Sequence, residues 1–184
     1  MQSLIPPTLR TARLLLRPWA ATDAMALQPI LAADIDHLGP WIPAHVSMPV
    51  PVPELAERLA GFADDFAADR AFRYALLAPD GGRVFGEVDL FPRTATGRVP
   101  LAAANHVELG YWLSSDATGQ GLATEATRAL LAVAMNLPGM THVEIRCDSA
   151  NAPSAAVPER LGFRLATVEG DTQVWRKLLT HIAR

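Results

Sequence analysis

One stretch of this sequence joins an apolar strand pattern directly to a glycine-rich turn and a helical pattern. Residues 107–113 are rich in aromatic and branched apolar side chains, which predicts a strand. After Gly119-Gln120-Gly121, an apolar stripe recurs at helical spacing, formed by Leu122, Ala126, Ala129, Leu130, Val133 and Leu137. This stripe predicts a helix that packs on the sheet, and the unit restricts the chain to folds that combine a sheet with a covering helix.

The start of the predicted helix is suited to bind an anion. Backbone N–H groups there lack helical partners, the helix dipole is positive, and Gly119 and Gly121 have no side chains to block a ligand. An ordinary strand-to-helix turn is one alternative. A dinucleotide fingerprint is another, but Thr124 stands where its third glycine or alanine belongs, and only about sixty residues follow Gly121.

The segment 118–123 resembles the Q/R-x-x-G-x-G/A loop with which GNAT acyltransferases hold the pyrophosphate of coenzyme A. The flanking segment 108–112 and the downstream segments 148–154 and 159–163 resemble the RimJ/RimL-like branch, which acetylates the N-termini of ribosomal proteins. These segments occur in the family's order, and weaker similarity extends back to Arg10. The chain is thus identified as a member of that branch.

Length and composition predict one domain over residues 1–184, long enough to bury a core. The 16 basic and 19 acidic side chains form no run of like charge, so we expect neither a nucleic-acid nor a membrane partner. Cys147 is the single cysteine, which excludes an internal disulfide; we expect it buried and inert. No signal peptide or membrane-spanning stretch is evident, so we expect a cytoplasmic protein.

Periodicity along the chain predicts an α/β (α+β) domain with a mixed, mostly antiparallel sheet. We expect strands at 13–17, 72–78, 83–91, 107–113, 142–147, 163–168 and 173–180, with a hairpin turn at 79–82. We expect helices from Asp23, capped by Thr22 and kinked or broken at Pro29, from Pro53, after Gly121 and over 151–160. The segments 32–53 and 92–105 are expected to be irregular. Strand 142–147 should lie parallel to 107–113 because a helix forms the crossover.

The resemblance implies a GNAT fold, in which two central strands splay apart and acetyl-CoA lies in the cleft. The pantetheine arm then contacts backbone groups of Trp112 and Leu113. The pyrophosphate lies on N–H groups of Gly119, Gln120, Gly121, Leu122, Ala123 and Thr124. Asn151 is implied as a further coenzyme contact, with helix N-cap as the alternative.

An attacking amine must be neutral, so we expect a base or a water chain that leads to one. Glu108 is the first candidate because it lies in the central strand, with a structural carboxylate as the alternative. Glu87 and Asp89 on the preceding strand are rivals for recognition of the substrate amine, and His106 is expected to be a solvated strand end.

The leaving thiolate needs a proton. Many GNAT enzymes place a tyrosine in the short helix, but this chain has Pro158 there, and resemblance to the N-x-x-S pattern of the RimL-like branch implies Ser154 as the candidate. Ser154 can instead bond to its own helix. Trp41, in a proline-rich loop, resembles a substrate-side aromatic of the branch, and the alternative is an anchor that packs this loop onto the domain.

The sequence therefore predicts an acetyl-CoA-dependent N-acetyltransferase. The acceptor is a primary amine, of a protein N-terminus or a small molecule, which attacks directly in a ternary complex. A non-catalytic acyl-CoA-binding or regulatory module with the same fold is the alternative, and a homodimer is consistent with the branch.

Overall fold

The computed structural model describes residues 4–179, which form one mixed sheet flanked by helices. The strands are β1 (Leu9–Arg10), β2 (Leu15–Pro18), β3 (Phe72–Leu77), β4 (Val84–Thr94), β5 (Gly97–Arg98), β6 (His106–Leu113), β7 (His142–Asp148), β8 (Arg164–Glu169) and β9 (Thr172–Leu178). The α-helices are α1 (Ala24–Ala33), α2 (Ile35–Leu38), α3 (Ala44–Ser47), α4 (Val52–Ala67), α5 (Leu122–Ala134) and α6 (Ala152–Arg160). Short 3₁₀ turns lie at Ala21–Asp23, Leu101–Ala103 and Ser115–Ala117.

The sheet order is β1-β2-β3-β4-β6-β7-β9-β8, with β5 paired to β4. Every pairing is antiparallel except that of β6 with β7, which is parallel because α5 forms the crossover between them. The predicted mixed, mostly antiparallel sheet is therefore confirmed.

The two central strands pair over only part of their length. β6 and β7 are joined at Val107–Val143, Glu108–Glu144 and Leu109–Ile145, although β6 continues to Leu113 and β7 to Asp148. Beyond these pairs the strands part, which confirms the splay that the resemblance implied.

Each face of the sheet carries its own apolar core. On one face, α5 lays Leu122, Ala126 and Leu130 against the side chains of Val107 and Leu109, which are fully buried. On the other face, α1 and α4 cover one end of the sheet with Leu27, Leu31, Leu55 and Leu59. Since side chains alternate along a strand, residues of β6 serve both faces in turn.

The start of the chain departs from several predictions. Thr22 does not cap a helix; it lies in the 3₁₀ turn, and Asp23 precedes α1 without a side-chain cap. Pro29 lies inside α1 and does not break it. The side chain of Asp23 is held by Arg17, through two hydrogen bonds of 2.7 Å.

The two segments expected to be irregular contain regular structure. Residues 32–53 include the one-turn helices α2 and α3, and α4 begins at Val52, one residue before the expected Pro53. Residues 92–105 include the end of β4, all of β5 and a 3₁₀ turn. The predicted end of the last strand, at Thr180, lies outside the described residues. Within residues 4–179, no helix is long and apolar enough to cross a membrane.

Gly86 and Gly61 offer a test of the sheet packing. A Cβ at Gly86 lies 2.0 Å from the carbonyl oxygen of Trp112 across the β4–β6 pair, whereas a Cβ at Gly61 in α4 meets open space. We expect Gly86→Ala to lower the free energy of unfolding by about 1–3 kcal/mol, as overpacking does. We expect Gly61→Ala to raise it by roughly 0.5–1 kcal/mol through helix propensity. Urea titration of both variants measures this, and equal effects contradict the close β4–β6 contact.

Candidate active site

A cleft of about 1180 Å³ opens where β6 and β7 part. It is bounded by the end of β6, the loop after it, the start of α5, the start of α6 and the segment around α2. Its lining includes these predicted site residues: Trp41, Trp112, Leu113, Gly119, Gly121, Leu122, Ala123, Thr124, Asn151 and Ser154. Tertiary structure thus brings together nearly every residue of the predicted coenzyme loop.

Left-handed backbone shapes the loop that starts α5. Gly119 and Gly121 have φ of 72° and 78°, a region that side chains disfavour, and Gly121 is the N-cap residue of α5. Gly121 has no side chain to cap the helix, so the N–H groups of Leu122, Ala123 and Thr124 have no side-chain partner there. These groups lie at the positive end of the helix dipole, beside the cleft. This arrangement suits a phosphate.

Hydrogen bonds from Thr11 and Arg13, before β2, hold this loop in place. Glu125, in the first turn of α5, accepts hydrogen bonds from Thr11 Oγ1 at 2.6 Å and from Arg13 Nε at 2.7 Å. Arg13 Nη1 also donates to the carbonyl of Gln120 at 2.8 Å. Burial alone raises the pKa of Glu125, but the hydrogen bonds from Thr11 and Arg13 outweigh it and leave the pKa below its ordinary value. Sequence reasoning missed Arg13, which contributes a cation beside the loop.

Gln120 does not line the cleft with its side chain. Its amide donates to the carbonyl of Asp116 at 3.1 Å, so the loop folds back on itself. Any contact from Gln120 to a coenzyme is through its backbone.

The segment around α2 is tied to the opposite wall of the cleft. Asp34 accepts hydrogen bonds from the N–H of Ser115 at 3.0 Å and from its hydroxyl at 2.5 Å. His37 Nε2 lies 3.1 Å from the carbonyl oxygen of Leu113. Trp41 follows on this segment and is 40% exposed while lining the cleft. Neither Asp34 nor His37 was predicted from the sequence.

Tyr111 connects β6 to α6 inside the cleft. Its hydroxyl donates to the carbonyl of Ser154 at 2.7 Å and accepts from the hydroxyl of Ser154 at 3.3 Å. Burial raises the pKa of Tyr111, so its phenol keeps its proton. Pro158 is buried in α6, which forms nonetheless. The phenol that contacts α6 therefore belongs to Tyr111 on β6 and not to a tyrosine within α6. The sequence analysis did not predict this contact.

Asn151 is the N-cap of α6, and its side-chain oxygen accepts from the N–H of Ser154 at 3.1 Å. The alternative interpretation of Asn151 as a helix cap is thus confirmed. Since Asn151 also lines the cleft, its contact with a coenzyme stays a prediction.

All three predicted carboxylates, Glu108, Glu87 and Asp89, lie outside the lining of the cleft. Glu108 forms an ion pair with Arg93 on β4. Glu87 is buried and has both oxygens engaged, by Trp19 Nε1 at 2.5 Å and by Arg73 Nη1 at 2.7 Å. Base function for Glu108 and substrate recognition for Glu87 stay predictions. Each role requires the carboxylate to break its ion pair, with Arg93 for Glu108 and with Arg73 for Glu87.

Asp89 competes with Glu87 for the same cation. Arg73 lies 2.7 Å from Glu87 but 3.7 Å from Asp89, so the guanidinium favours Glu87. Burial, and then the charge of Glu87, raise the pKa of Asp89 to about 8, and the charge of Arg73 only partly opposes this.

His106 is buried, so its prediction as a solvated strand end is wrong. Its ring stacks on that of His142 with centroids 4.5 Å apart, and these two residues directly precede the first parallel pair, Val107–Val143. Burial, together with the neighbouring imidazole, lowers the pKa of His106 and keeps it neutral. Cys147 is free and buried, as predicted.

Comparison with known proteins connects this geometry to a family. A family model for an acetyltransferase (GNAT) domain matches residues 13–164. The putative ribosomal N-acetyltransferase YdaF of Bacillus subtilis (strain 168) is 27% identical over 143 residues, which are 65% of this chain and 78% of that protein.

Two solved structures share the fold over nearly all of both chains. Mycobacterium smegmatis RimJ in complex with CoA-disulfide has a TM-score of 0.76 and 24% identity, and the match covers 97% of this chain and 90% of that one. RimL, a ribosomal L7/L12 alpha-N-protein acetyltransferase in complex with coenzyme A, has a TM-score of 0.73 and 20% identity over 95% of this chain and 97% of that one.

The raised pKa of Asp89 predicts a pH-dependent stability. An unfolded aspartate titrates near ~3.9, so between that pH and about 8 the folded protein holds one proton more than the unfolded chain. Stability from this group therefore falls as pH rises through that window. We expect Asp89→Asn to gain stability relative to wild type from pH 5 to pH 8, measured by urea unfolding. The groups that act on Asp89, namely Glu87, Arg73, Glu108 and Arg98, are unchanged in this variant, so a pH-independent difference contradicts the assignment.

Proposed function

The chain belongs to the acetyltransferase (GNAT) domain family, and from that premise we propose that it transfers an acetyl group from acetyl-CoA to a primary amine. It is an acyltransferase by family. The acceptor in this proposal is the N-terminus of a protein or a small-molecule amine. The proposal is supported by its relatives, which include a putative ribosomal N-acetyltransferase.

One observation carries the proposal, the glycine cradle at the start of α5 in a cleft between parting strands. A Cβ at Gly119 meets open space, so the protein itself leaves the volume beside the helix N-terminus empty. The cleft exceeds the several hundred Å³ typical of small-ligand sites, and its lining runs from the start of α5 to the end of β6. The RimJ and RimL structures, with the same fold, are described as complexes with CoA.

The residues of the cleft divide into two groups by role. The N–H groups over 119–124 would hold the pyrophosphate, with Arg13 as a nearby cation, and backbone groups of Trp112 and Leu113 would hold the pantetheine arm. Acetyl-CoA supplies the acetyl group as a thioester. Holding both reactants in one cleft accounts for direct attack in a ternary complex.

Ser154, in contact with Tyr111, is proposed to supply the proton that the departing thiolate needs. The phenol donates to the carbonyl of Ser154 and accepts from its hydroxyl, so Tyr111 passes a proton to Ser154 only after both hydroxyls rotate and reverse the second hydrogen bond. Ser154 alone is a poor acid at neutral pH. The role of Ser154 as proton donor is therefore proposed with this reorientation as its requirement.

The segment around α2 is proposed to form the acceptor side of the cleft. Trp41 is half-exposed and lies outside the glycine loop, and α2 is held to the cleft by His37 and Asp34. Aromatic surface at the mouth of a cleft is suited to contact a substrate. A homodimer remains a prediction.

The coenzyme assignment is tested with Gly121→Asp, which places a carboxylate beside the pyrophosphate position. We expect acetyl-CoA affinity to fall at least ~10-fold, about 1.4 kcal/mol, and wild type to release thiol from acetyl-CoA with at least one amine of a panel. Gly139→Asp is the matched control, because Gly139 has a similar φ of 75° with open space around it and does not line the cleft. Calorimetry in which both variants bind like wild type rejects the cradle. Tight binding by wild type without turnover on any amine favours a non-catalytic acyl-CoA-binding module.

The acceptor assignment is tested with Trp41→Ala. We expect a higher acceptor KM and nearly unchanged acetyl-CoA affinity, since the indole lies outside the glycine loop. Met48→Ala, an exposed side chain of the same segment that does not line the cleft, is the control. A lower melting temperature with unchanged kinetics assigns Trp41 to packing of the loop instead.

A further inference from the structure

The lining of the cleft contains few side chains that could take a proton from an attacking amine. Among residues 4–179, its titratable side chains are Arg13, His37, Tyr111, Glu125, Arg128 and Arg160. Arginine stays a cation near neutral pH, and burial raises the pKa of Tyr111, so its phenol keeps its proton. The remaining candidates are the carboxylate of Glu125 and the imidazole of His37.

Glu125 is engaged at the coenzyme loop. One of its oxygens accepts from Thr11 Oγ1 at 2.6 Å and from the N–H of Arg13 at 3.0 Å, and the other accepts from Arg13 Nε at 2.7 Å. Burial raises the pKa of Glu125, but these hydrogen bonds outweigh it and leave the pKa below its ordinary value. A carboxylate held in this way is a weak base. An imidazole is the side chain that most often moves protons near neutral pH, and His37 is the imidazole of the lining.

A backbone carbonyl orients the ring of His37. Its Nε2 lies 3.1 Å from the carbonyl oxygen of Leu113, and since a carbonyl only accepts, Nε2 carries the hydrogen. In the neutral ring Nδ1 then carries the lone pair. No residue of the range 4–179 forms a hydrogen bond with Nδ1, and the side chain is half-buried in the wall of the cleft. The ring is therefore held through one nitrogen, while its basic nitrogen is left for a ligand.

The segment that carries His37 is anchored to the end of β6. Asp34, directly before α2, accepts from the N–H of Ser115 at 3.0 Å and from its hydroxyl at 2.5 Å. Leu38, directly after His37, is buried in the core formed with α1 and α4. The end of β6 is also where the pantetheine arm lies in the proposed function. His37 is thus fixed beside the part of the cleft that would hold the thioester.

The charged groups around α2 leave the imidazole without a carboxylate partner. On its own segment, Asp34 is bonded to the turn after β6 and Asp36 is exposed. In that turn, Asp116 is paired with Arg83. Helix α1, which packs against α2, carries no charged residue. None of these three carboxylates lines the cleft, so the basic nitrogen of His37 stays available to an amine bound there.

We propose that His37 is the general base of the acetyl transfer and that its Nδ1 takes a proton from the acceptor amine. The inference rests on the proposed function and adds the residue that performs this step. It places the base in the wall of the cleft, whereas Glu108, Glu87 and Asp89 lie outside the lining.

The protons and electrons of this step balance without a further reactant. The ammonium group of the acceptor gives one proton to Nδ1 of His37, while Nε2 keeps its hydrogen bond to Leu113. The neutral nitrogen attacks the thioester carbon, and the N–C bond forms as the C–S bond breaks with its electron pair on sulfur. The nitrogen then loses its second proton and the sulfur gains one. His37 returns its proton to solvent, so the products are an amide, a thiol and one proton.

Four variants test this role. His37→Gln keeps an amide donor where Nε2 lies, and so keeps the contact with Leu113, but it removes the base. His37→Ala removes both the donor and the base. Glu108→Gln tests the candidate from the sequence. His45→Gln is the matched control, because His45 is an exposed histidine on α3, in the same proline-rich segment, and does not line the cleft.

Turnover is measured as thiol release at saturating acetyl-CoA, from about pH 6 to about pH 9. One acceptor is 2-phenylethylamine, chosen because Leu38, Trp41 and Ile42 give the wall beside His37 an apolar surface. The other acceptor is an alanine tripeptide amide with a free α-amine. Calorimetry measures acetyl-CoA affinity, and the melting temperature measures folding.

We expect both His37 variants to lower kcat/KM at pH 7 by roughly 100-fold or more, as loss of a general base does. The loss should shrink as pH rises, because more of the amine is then neutral without a base. Acetyl-CoA affinity should be kept in both variants, and added imidazole should restore part of the activity of His37→Ala. His45→Gln should match wild type in every measurement.

Wild-type turnover by His37→Gln, with a loss confined to His37→Ala, would assign His37 to holding α2 and overturn its role as base. A larger loss at pH 7 in Glu108→Gln than in His37→Gln would return that role to Glu108. If wild type binds acetyl-CoA but releases no thiol with these or any other amines, the proposed transfer itself fails, and the role of His37 fails with it. If His37→Ala does not fold, the comparison of His37→Gln with His45→Gln decides alone.

Discussion

The parting of β6 and β7 is the constraint on which the rest of this structure depends. Three residue pairs hold the two central strands together, and beyond them each strand follows a different neighbour, β4 for β6 and β9 for β7. A gap in the middle of a sheet leaves backbone groups and apolar side chains without partners, which is costly unless something fills it. Here α5 and α6 close the gap on one face, and the remaining space is the cleft.

The walls of that cleft are joined by polar contacts between distant parts of the chain. Glu125 ties the start of α5 to Thr11 and Arg13, and Asp34 ties the end of α1 to Ser115. The coenzyme loop and the segment that carries Trp41 therefore share one scaffold, the strand β6 and the loop after it. In the proposed function, preorganisation of this kind would favour direct transfer in a ternary complex.

The charged side chains buried on the α4 side of the sheet show where packing and chemistry disagree. Arg73 lies near two carboxylates but forms a close ion pair only with Glu87. Gly110 has no side chain, which leaves space for the carboxyl oxygen of the other one, Asp89. Replacing these charges with apolar residues would relieve the cost, as it does for many buried ion pairs. Local departures from good packing tend to lie at functional sites.

Local pattern alone determined the secondary structure around the site. The apolar stripe after Gly121 fixes α5, the alternation at 142–147 fixes β7, and glycines at 119 and 121 fix the loop, because each depends on residues a few positions apart. Only the tertiary structure decided which side chains meet. Tyr111 reaches Ser154 of α6 across 43 residues, and strand register brings Arg93 to Glu108 and His106 to His142. Register follows from how whole strands pair, and a shift of one residue sends every side chain to the other face, so no short segment of sequence contains it.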